Sequence, residues 1–204
     1  MKEVIKEKKW LKKEYNTRHK IIKMKLWTYS KGNKLLLMGS SGYKAKVLPS
    51  GIKERLDDAM KKDVTIIVAE ARGSCRLFQD YLASKNYKNV IVGHARTLRY
   101  NAGGWTDVKY GDRLKERERN MMADCDFAIV IWQNNSGVIA ENLRYLKKLG
   151  KPTFLYEYDG STGIAQEGVV DTERDFKIFY PYLMKFKIKE KQSFNKWLSE
   201  QKKD

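Results

Sequence analysis

No stretch of the 204-residue chain approaches the roughly 20 consecutive apolar residues that a helix needs to cross a bilayer. The first residues, Met1-Lys2-Glu3-Val4-Ile5-Lys6, carry positive charge with no apolar segment behind it, so no secretory leader is expected. Only two cysteines occur, Cys75 and Cys125, which is too few for a disulfide framework, and free thiols suit a reducing compartment. The two histidines, His19 and His94, stand at no metal-ligand spacing from each other or from the cysteines. Neither a Gly-x-Gly-x-x-Gly segment nor a Walker lysine is present, which removes the standard dinucleotide fingerprint and the NTPase phosphate loop. These absences lead us to expect a cytoplasmic protein with no transmembrane segment, no metal site and no cofactor.

What the chain has in excess is positive charge. Lys and Arg exceed Asp and Glu by 17, and residues 1–34 alone carry eleven Lys and one Arg against three Glu. More than half of the excess therefore lies in a sixth of the chain. Such an arm is drawn to polyanions, meaning nucleic acid or anionic membrane, by a screened, sequence-independent force; a solvated helix face is the alternative. Hydrophobic residues make up 42% of the chain, enough for a substantial core and too many for wholesale disorder.

The hydrophobic pattern divides the chain into three parts. Residues 1–33 read as a basic arm: a short helix over 2–15, then an alternating segment at Ile22, Met24 and Leu26 that suits a lysine-decorated edge strand beside a central one. Over 34–158, continuous apolar runs at 35–38, 64–69, 90–92, 127–132 and 153–156 alternate with helical patterns at 51–61, 75–85, 113–123 and 137–149. Continuous runs suit strands covered on both faces, and the alternation predicts a doubly wound, mostly parallel α/β sheet with helices on both faces. Residues 159–204 read as a C-terminal appendage: a polar loop to about 172, strands at 176–182 and 184–188, and a closing helix at 193–201.

Open parallel sheets bind ligands beyond the carboxyl ends of their strands, and three loops there have specialised composition. In Met38-Gly39-Ser40-Ser41-Gly42, glycines allow close backbone approach, and amides and hydroxyls can hold a phosphate. In Glu70-Ala71-Arg72-Gly73-Ser74, Gly73 permits a tight turn and Ser74 suits a helix cap; Arg72 either faces an anion or pairs with Glu70 or Asp80. In Trp132-Gln133-Asn134-Asn135-Ser136-Gly137, capping side chains open the fourth helix, and Glu141 follows one turn in, either facing the crevice or pairing with Arg144 or Lys148. Upstream, Leu114, Met121 and Cys125 mark the buried stripe of the third helix; Arg117 falls near it and needs an anionic partner there, which a phosphate or Glu141 can supply, while Arg119 points elsewhere. The loop 96–111, with Arg99, Tyr100, Trp105 and Tyr110, is long enough for a lid whose aromatics stack on a base; Trp105 as a plug for the sheet edge is the alternative. Cys75, at a helix start, is either a thiol of lowered pKa or a buried side chain.

Taken in order, Met38-Gly39-Ser40-Ser41, Ala71-Arg72-Gly73, the arginine-rich helix, Trp132 to Ser136-Gly137, and Gly150-Lys151-Pro152 resemble the SLOG superfamily, which joins the Smf/DprA proteins and the lonely-guy (LOG) phosphoribohydrolases. The nearest branch is YspA/YpsA-like, and the resemblance covers residues 34–157. It implies a Rossmann-like domain that binds a nucleotide or a nucleotide-derived ligand. Gly39, Ser40, Ala71, Arg72 and Gly73 match the first two motifs, while Ser41 stands where Arg is usual, Glu70 replaces a Gly and Cys75 an Asp. Arg117 matches the LOG-type Glu-Arg-Lys segment, and Arg119-Asn120 matches the Arg-Asn pair of the other branch. Gly137 and Glu141 match the LOG phosphate motif, in which Asn134 and Asn135 replace both glycines and Val138 the Thr.

These readings predict a nucleotide or ribose-phosphate ligand held by Gly39, Ser40, Ser41, Gly42, Arg72, Gly73 and Ser74, with Trp105, Asn120, Trp132, Asn134, Asn135, Ser136 and Gly137. As the resemblance implies, Arg117 or Arg119 with Glu141 would cleave the N-glycosidic bond; sensing without cleavage is the other outcome. The rival is a DprA-like nucleic-acid-binding protein that uses residues 1–34. The family resemblance also implies a homodimer, and the aromatic composition of the C-terminal segment suits it to supply an interface.

Overall fold

The computed structural model describes residues 32–133, 137–160, 163 and 165–170. Internal contacts divide the chain into Met1–Asp171 and Thr172–Asp204, and every described residue belongs to the first unit. The elements follow in the order β1 (Lys34–Gly39), α1 (Ser50–Lys61), β2 (Thr65–Ala69), α2 (Ser74–Ser84), β3 (Val90–His94), β4 (Thr106–Lys109), α3 (Leu114–Asp124), β5 (Phe127–Gln133), α4 (Gly137–Lys148), β6 (Thr153–Tyr158) and β7 (Ala165–Val170).

The seven strands form one sheet in the order β4-β3-β2-β1-β5-β6-β7, parallel throughout except for the antiparallel β6–β7 pair. Leu35, Leu36 and Leu37 in β1 and Ala128 to Ile131 in β5 are fully or almost fully buried, as central strands covered on both faces require. Burying each such Leu, Ile or Val contributes about 1.5–3 kcal/mol.

Register decides which helix covers which face. Phe154, Ile129, Leu37, Val68 and Val92 lie in one row across the sheet, so Gly93, one residue further along β3, faces the other way. The Arg55 guanidinium of α1 stacks on the Phe154 ring, 3.6 Å from its centroid, and α2 is tied to α1 by the Tyr81 hydroxyl donating to Asp57 (2.8 Å). On the opposite face, a Cβ on Gly93 would meet Met121 Sδ of α3 at 2.7 Å. There α4 is tied to α3 by Asn142 Nδ2 donating to Glu118 (2.9 Å). The result is the doubly wound, Rossmann-like arrangement expected from the alternating pattern.

Local chemistry explains the boundaries. In α1, Ile52, Leu56 and Ala59 form a buried stripe behind Pro49, whose fixed φ suits a helix start. Gly150, at φ +66°, ends α4 just before Lys151-Pro152.

Two strands depart from the sequence expectation. β4 lies inside the loop expected over 96–111, and β7 lies inside the polar loop expected to run to about 172. Both are edge strands: β4 is mostly exposed, and β7 is buried only over Gly168, Val169 and Val170, so neither carries the continuous apolar run by which the central strands were found. Residues 2–15, 22–26, 176–182, 184–188 and 193–201, expected as helices or strands, lie outside the described residues. Both sides of β1 are taken by β2 and β5. Among the described residues, no helix is long and apolar enough to cross a membrane.

Glu157 of β6 is a buried carboxyl whose Oε2 accepts a hydrogen bond from Gln166 of β7 (2.8 Å). Burial pushes its pKa up to about 7, against the Gln166 hydrogen bond and with the charge of Asp159 adding to the rise. The folded chain therefore holds this proton more tightly than the unfolded one, where a Glu titrates near 4.5. Stability tied to protonated Glu157 is fully present below about pH 4.5 and is lost as pH rises through about 7. Thermal unfolding should shift downward between about pH 5 and about pH 8, and Glu157→Gln should flatten that slope by on the order of 2 kcal/mol. Identical pH profiles for the two proteins would refute this.

Candidate functional site

Strand order reverses between β1 and β5, since the chain leaves β1 toward β2 and later returns to β5 on the other side. In open α/β sheets the crevice beyond the carboxyl ends at such a point is where ligands bind. Residues 39–42 leave β1 here, residues 70–74 leave β2 beside it, and β5 ends at Gln133.

Close backbone approach joins these ends. A Cβ on Gly39 would stand 2.3 Å from the Ile131 carbonyl oxygen and 2.7 Å from Ser74 Oγ. Gly73, at φ +73°, leaves no room for one either: Ser41 O would be 2.5 Å away and Ser40 O 2.6 Å. The Ser40 N–H donates to Ile131 O (2.9 Å), and Ser40 Oγ accepts from the Gln133 N–H (2.9 Å). Ser74 donates to Ser40 O through both its N–H and its hydroxyl, at 3.3 Å each. Ser40 and Ser74 are thus buried cross-links, while Ser41, Gly42 and Arg72 remain exposed above them. Arg72 forms no ion pair with any described residue, and the amides of Ser41, Gly42, Ala71, Arg72 and Gly73 donate to none. Asn134, Asn135 and Ser136 lie outside the described residues, and Gly137 is the exposed first residue of α4.

Residues 43–48 carry the chain from this point across β5 toward β6. The Lys44 N–H donates to Gln133 Oε1 (2.8 Å), and Tyr43 packs edge-on against Tyr158 with ring centroids 5.8 Å apart.

The third-helix candidates separate, because successive helical residues are about 100° apart around the axis. Arg117 points under the rim and is 4% exposed. Its Nη1 donates to both carboxylate oxygens of Glu70, at 2.9 and 2.7 Å, and its Nη2 reaches Glu118 Oε1 at 3.5 Å. Arg99, from the loop after β3, donates to Glu70 Oε1 at 2.8 Å. Arg119 instead stacks on Tyr145 of α4, 3.9 Å from the ring centroid, and Asn120 Nδ2 donates to the Tyr110 carbonyl (2.6 Å).

The expected pairing of Arg117 or Arg119 with Glu141 is therefore not formed. Arg117 is occupied by Glu70, because a buried guanidinium needs a carboxylate in direct contact. Glu141 has a side chain 58% exposed and stands 3.7 Å from Lys115, rather than beside Arg144 or Lys148. Glu70 pairs with Arg117 and Arg99, so Arg72 does not pair with it.

Trp105 is corrected as a ligand-stacking residue. It directly precedes β4, whose Thr106 pairs with Ile91 near the start of β3, so it lies at the amino end of the parallel strands, opposite the rim. It is buried, its Nε1–H donates to the Tyr87 carbonyl (2.8 Å), and Asn101 brackets it with two further hydrogen bonds. Trp132 is buried near the carboxyl end of β5, and its Nε1 has no hydrogen-bond partner among the described residues. Of the two readings of Cys75, the buried side chain is the one found: the thiol is buried, and burial pushes its pKa up to about 11. Burial pushes that of Cys125 up to about 12.

A cleft of about 500 Å³ opens on the same rim, on the β2–β4 side. Arg96, Arg99, Arg113, Leu114 and Glu70 line it. Of these, Arg99 and Glu70 figure among the sequence candidates, neither as a cleft residue, and Leu114, expected on the buried stripe of α3, is instead 54% exposed, because it opens that helix at the cleft. Arg96 and Arg113 are 17 positions apart, and what brings them together is the pairing of β4 with β3 followed by the return into α3. Among the described residues, no group of three or more His, Cys, Asp or Glu is placed to hold a metal ion.

No family model matches the chain, and none of the curated proteins or solved structures matches it.

The Glu70–Arg117 pair yields a stability prediction. Arg117→Met should destabilise the protein by about 3–5 kcal/mol in chemical denaturation, because it leaves a buried carboxylate with only the half-exposed Arg99. Combining it with Glu70→Gln should recover much of that loss. A double variant as unstable as the two single losses added together would show that the charges do not interact.

Proposed function

We propose that the carboxyl-end rim binds a nucleotide or another ribose-phosphate-derived small molecule at the crossing point between β1 and β5. The observation that supports this most directly is the locking of residues 39–42 against 70–74, with Ser40 and Ser74 as internal cross-links. That lock turns Ser41, Gly42 and Arg72 outward with amides and a guanidinium unspent, which suits an anion bearing several acceptor oxygens. The resemblance of these segments to SLOG motifs supplies the nucleotide class.

Recognition without cleavage is the stronger form of this reading. Cleaving an N-glycosidic bond calls for a carboxylate beside the sugar and cations on the phosphate. Arg117 is committed beneath the rim, and Glu141 stands in solvent beside Lys115. Titrating the full-length protein with nucleoside monophosphates, nucleoside diphosphates and NAD should give saturable binding to at least one of them. Arg72→Ala should weaken it about tenfold, the effect of losing one charge-assisted contact. Glu141→Ala should leave binding unchanged, and chromatography should detect no free base. Release of base that is lost in Glu141→Ala would convert the reading to a hydrolase; no binding across the panel would overturn it.

The charge of residues 1–34 favours a second reading, attachment to DNA or RNA. Lys34 belongs to β1 and pairs with Asp124 (2.5 Å), so this reading rests on the basic residues before it in the sequence. Replacing the lysines at positions 2–25 with Gln should abolish salt-sensitive binding to nucleic acid while sparing small-ligand binding. Nucleic-acid affinity that persists in that variant would rule out the arm.

A further inference from the structure

We infer that the arginine-lined cleft on the β2–β4 side is a second binding site, separate from the crossing point, for a small organic phosphate whose non-polar part lies against Leu114. None of residues 39–42 or 72–74 lines it. Its volume of about 500 Å³ falls within the range of small-ligand pockets, roughly 300–1,000 Å³.

Charge identifies what it takes. Three arginines, Arg96, Arg99 and Arg113, face two carboxylates, Glu70 and Asp112. Both carboxylates are already matched by cations that do not line the cleft. Glu70 is gripped by both oxygens from Arg117 on α3. Asp112 is held by Lys109 at 2.5 Å, which, with Arg96 at longer range, keeps its carboxyl below the usual range. The arginines therefore present positive charge in excess of what the protein neutralises. Arg99 shares Glu70, Arg96 reaches Asp112 only at long range, and Arg113 forms no ion pair with any described residue.

The backbone adds to this. The amino end of the eleven-residue helix α3 opens on the cleft through Arg113 and Leu114, and its dipole favours an anion there. Glu116 Oε2 accepts the N–H groups of Asp112 and Arg113, at 3.1 and 3.2 Å, which fixes the turn that aims Arg113. Guanidinium groups match the oxygens of a phosphoryl group in pairs, which a lone ammonium cannot do.

Leu114 decides between inorganic phosphate and an organic ester. It is one of three large apolar side chains left exposed among the described residues, at 54%, and it stands at the cleft beside Ala95. An apolar wall next to a cationic one fits an amphipathic ligand with a phosphoryl group at one end and a non-polar or aromatic body at the other.

The test uses phenyl phosphate and inorganic phosphate as probes, titrated calorimetrically into the full-length protein. Phenyl phosphate should bind at least tenfold more tightly than inorganic phosphate. The double variant Arg96→Gln with Arg113→Gln should weaken it by tenfold or more, without moving the thermal unfolding midpoint, since neither side chain is in an ion pair. Leu114→Ser should bring the two probes to similar affinity. Arg72→Gln, at the crossing point, should change phenyl phosphate binding less than twofold. Equal affinity for the two probes in the unaltered protein, or phenyl phosphate binding that survives the double arginine variant, would overturn the proposal. Binding lost in Arg72→Gln and kept in the double variant would place the ligand at the crossing point, sinking this site while leaving the nucleotide reading intact.

Discussion

The contact on which the rim depends is the ion pair between Glu70 and Arg117. Both side chains are almost completely removed from water, and either charge alone would carry a desolvation penalty of several kcal/mol. Together they tie the end of β2 to the first turn of α3, and Arg99 and Glu118 extend the pair on both sides. Glu118 accepts in turn from Asn142 on α4. A continuous polar chain thus runs beneath the strand ends from the loop after β3 to the fourth helix. It sets where α3 begins, and so where Arg113 and Leu114 stand.

On one side of that chain, β1, β2 and β5 end in a knot of glycines and serines; on the other, a cleft opens among arginines. The two regions differ in physical character. At the knot, glycines allow carbonyls and hydroxyls to approach at distances no Cβ would tolerate, so the groups left facing outward there are mainly backbone amides and one arginine. At the cleft the outward groups are long side chains around a helix start. A Rossmann-like sheet can support both, because every parallel strand delivers its following loop to the same rim.

Several site residues were visible in the sequence as types but not in their roles. Arg117 was recognisable as an arginine on a buried stripe that required an anion, yet its partner is Glu70, 47 positions away, rather than a ligand or Glu141. Ser40 and Ser74 looked like phosphate hydroxyls and serve as cross-links between loops. Trp105 had the composition of a stacking residue and sits at the opposite end of the sheet, because β4 runs parallel to β3 and enters from the amino side. β4 and β7 were missed for one reason: edge strands need not be apolar on both faces, so no continuous run marks them.

The central strands and the four helices were determined by the sequence itself, to within about a turn at their ends. Strand and helix periods are local properties: burial on both faces writes a run of Leu, Ile and Val, and burial on one face writes a stripe. The meeting of residues 39–42 with 70–74 was also foreseeable, since parallel strands bring their following loops to one end. Tertiary structure alone decided which arginine is buried and which is free, because pairing depends on strand order, register and helix rotation. Those combine contacts from positions 70, 96, 99, 113 and 117, and no single segment of the chain encodes them.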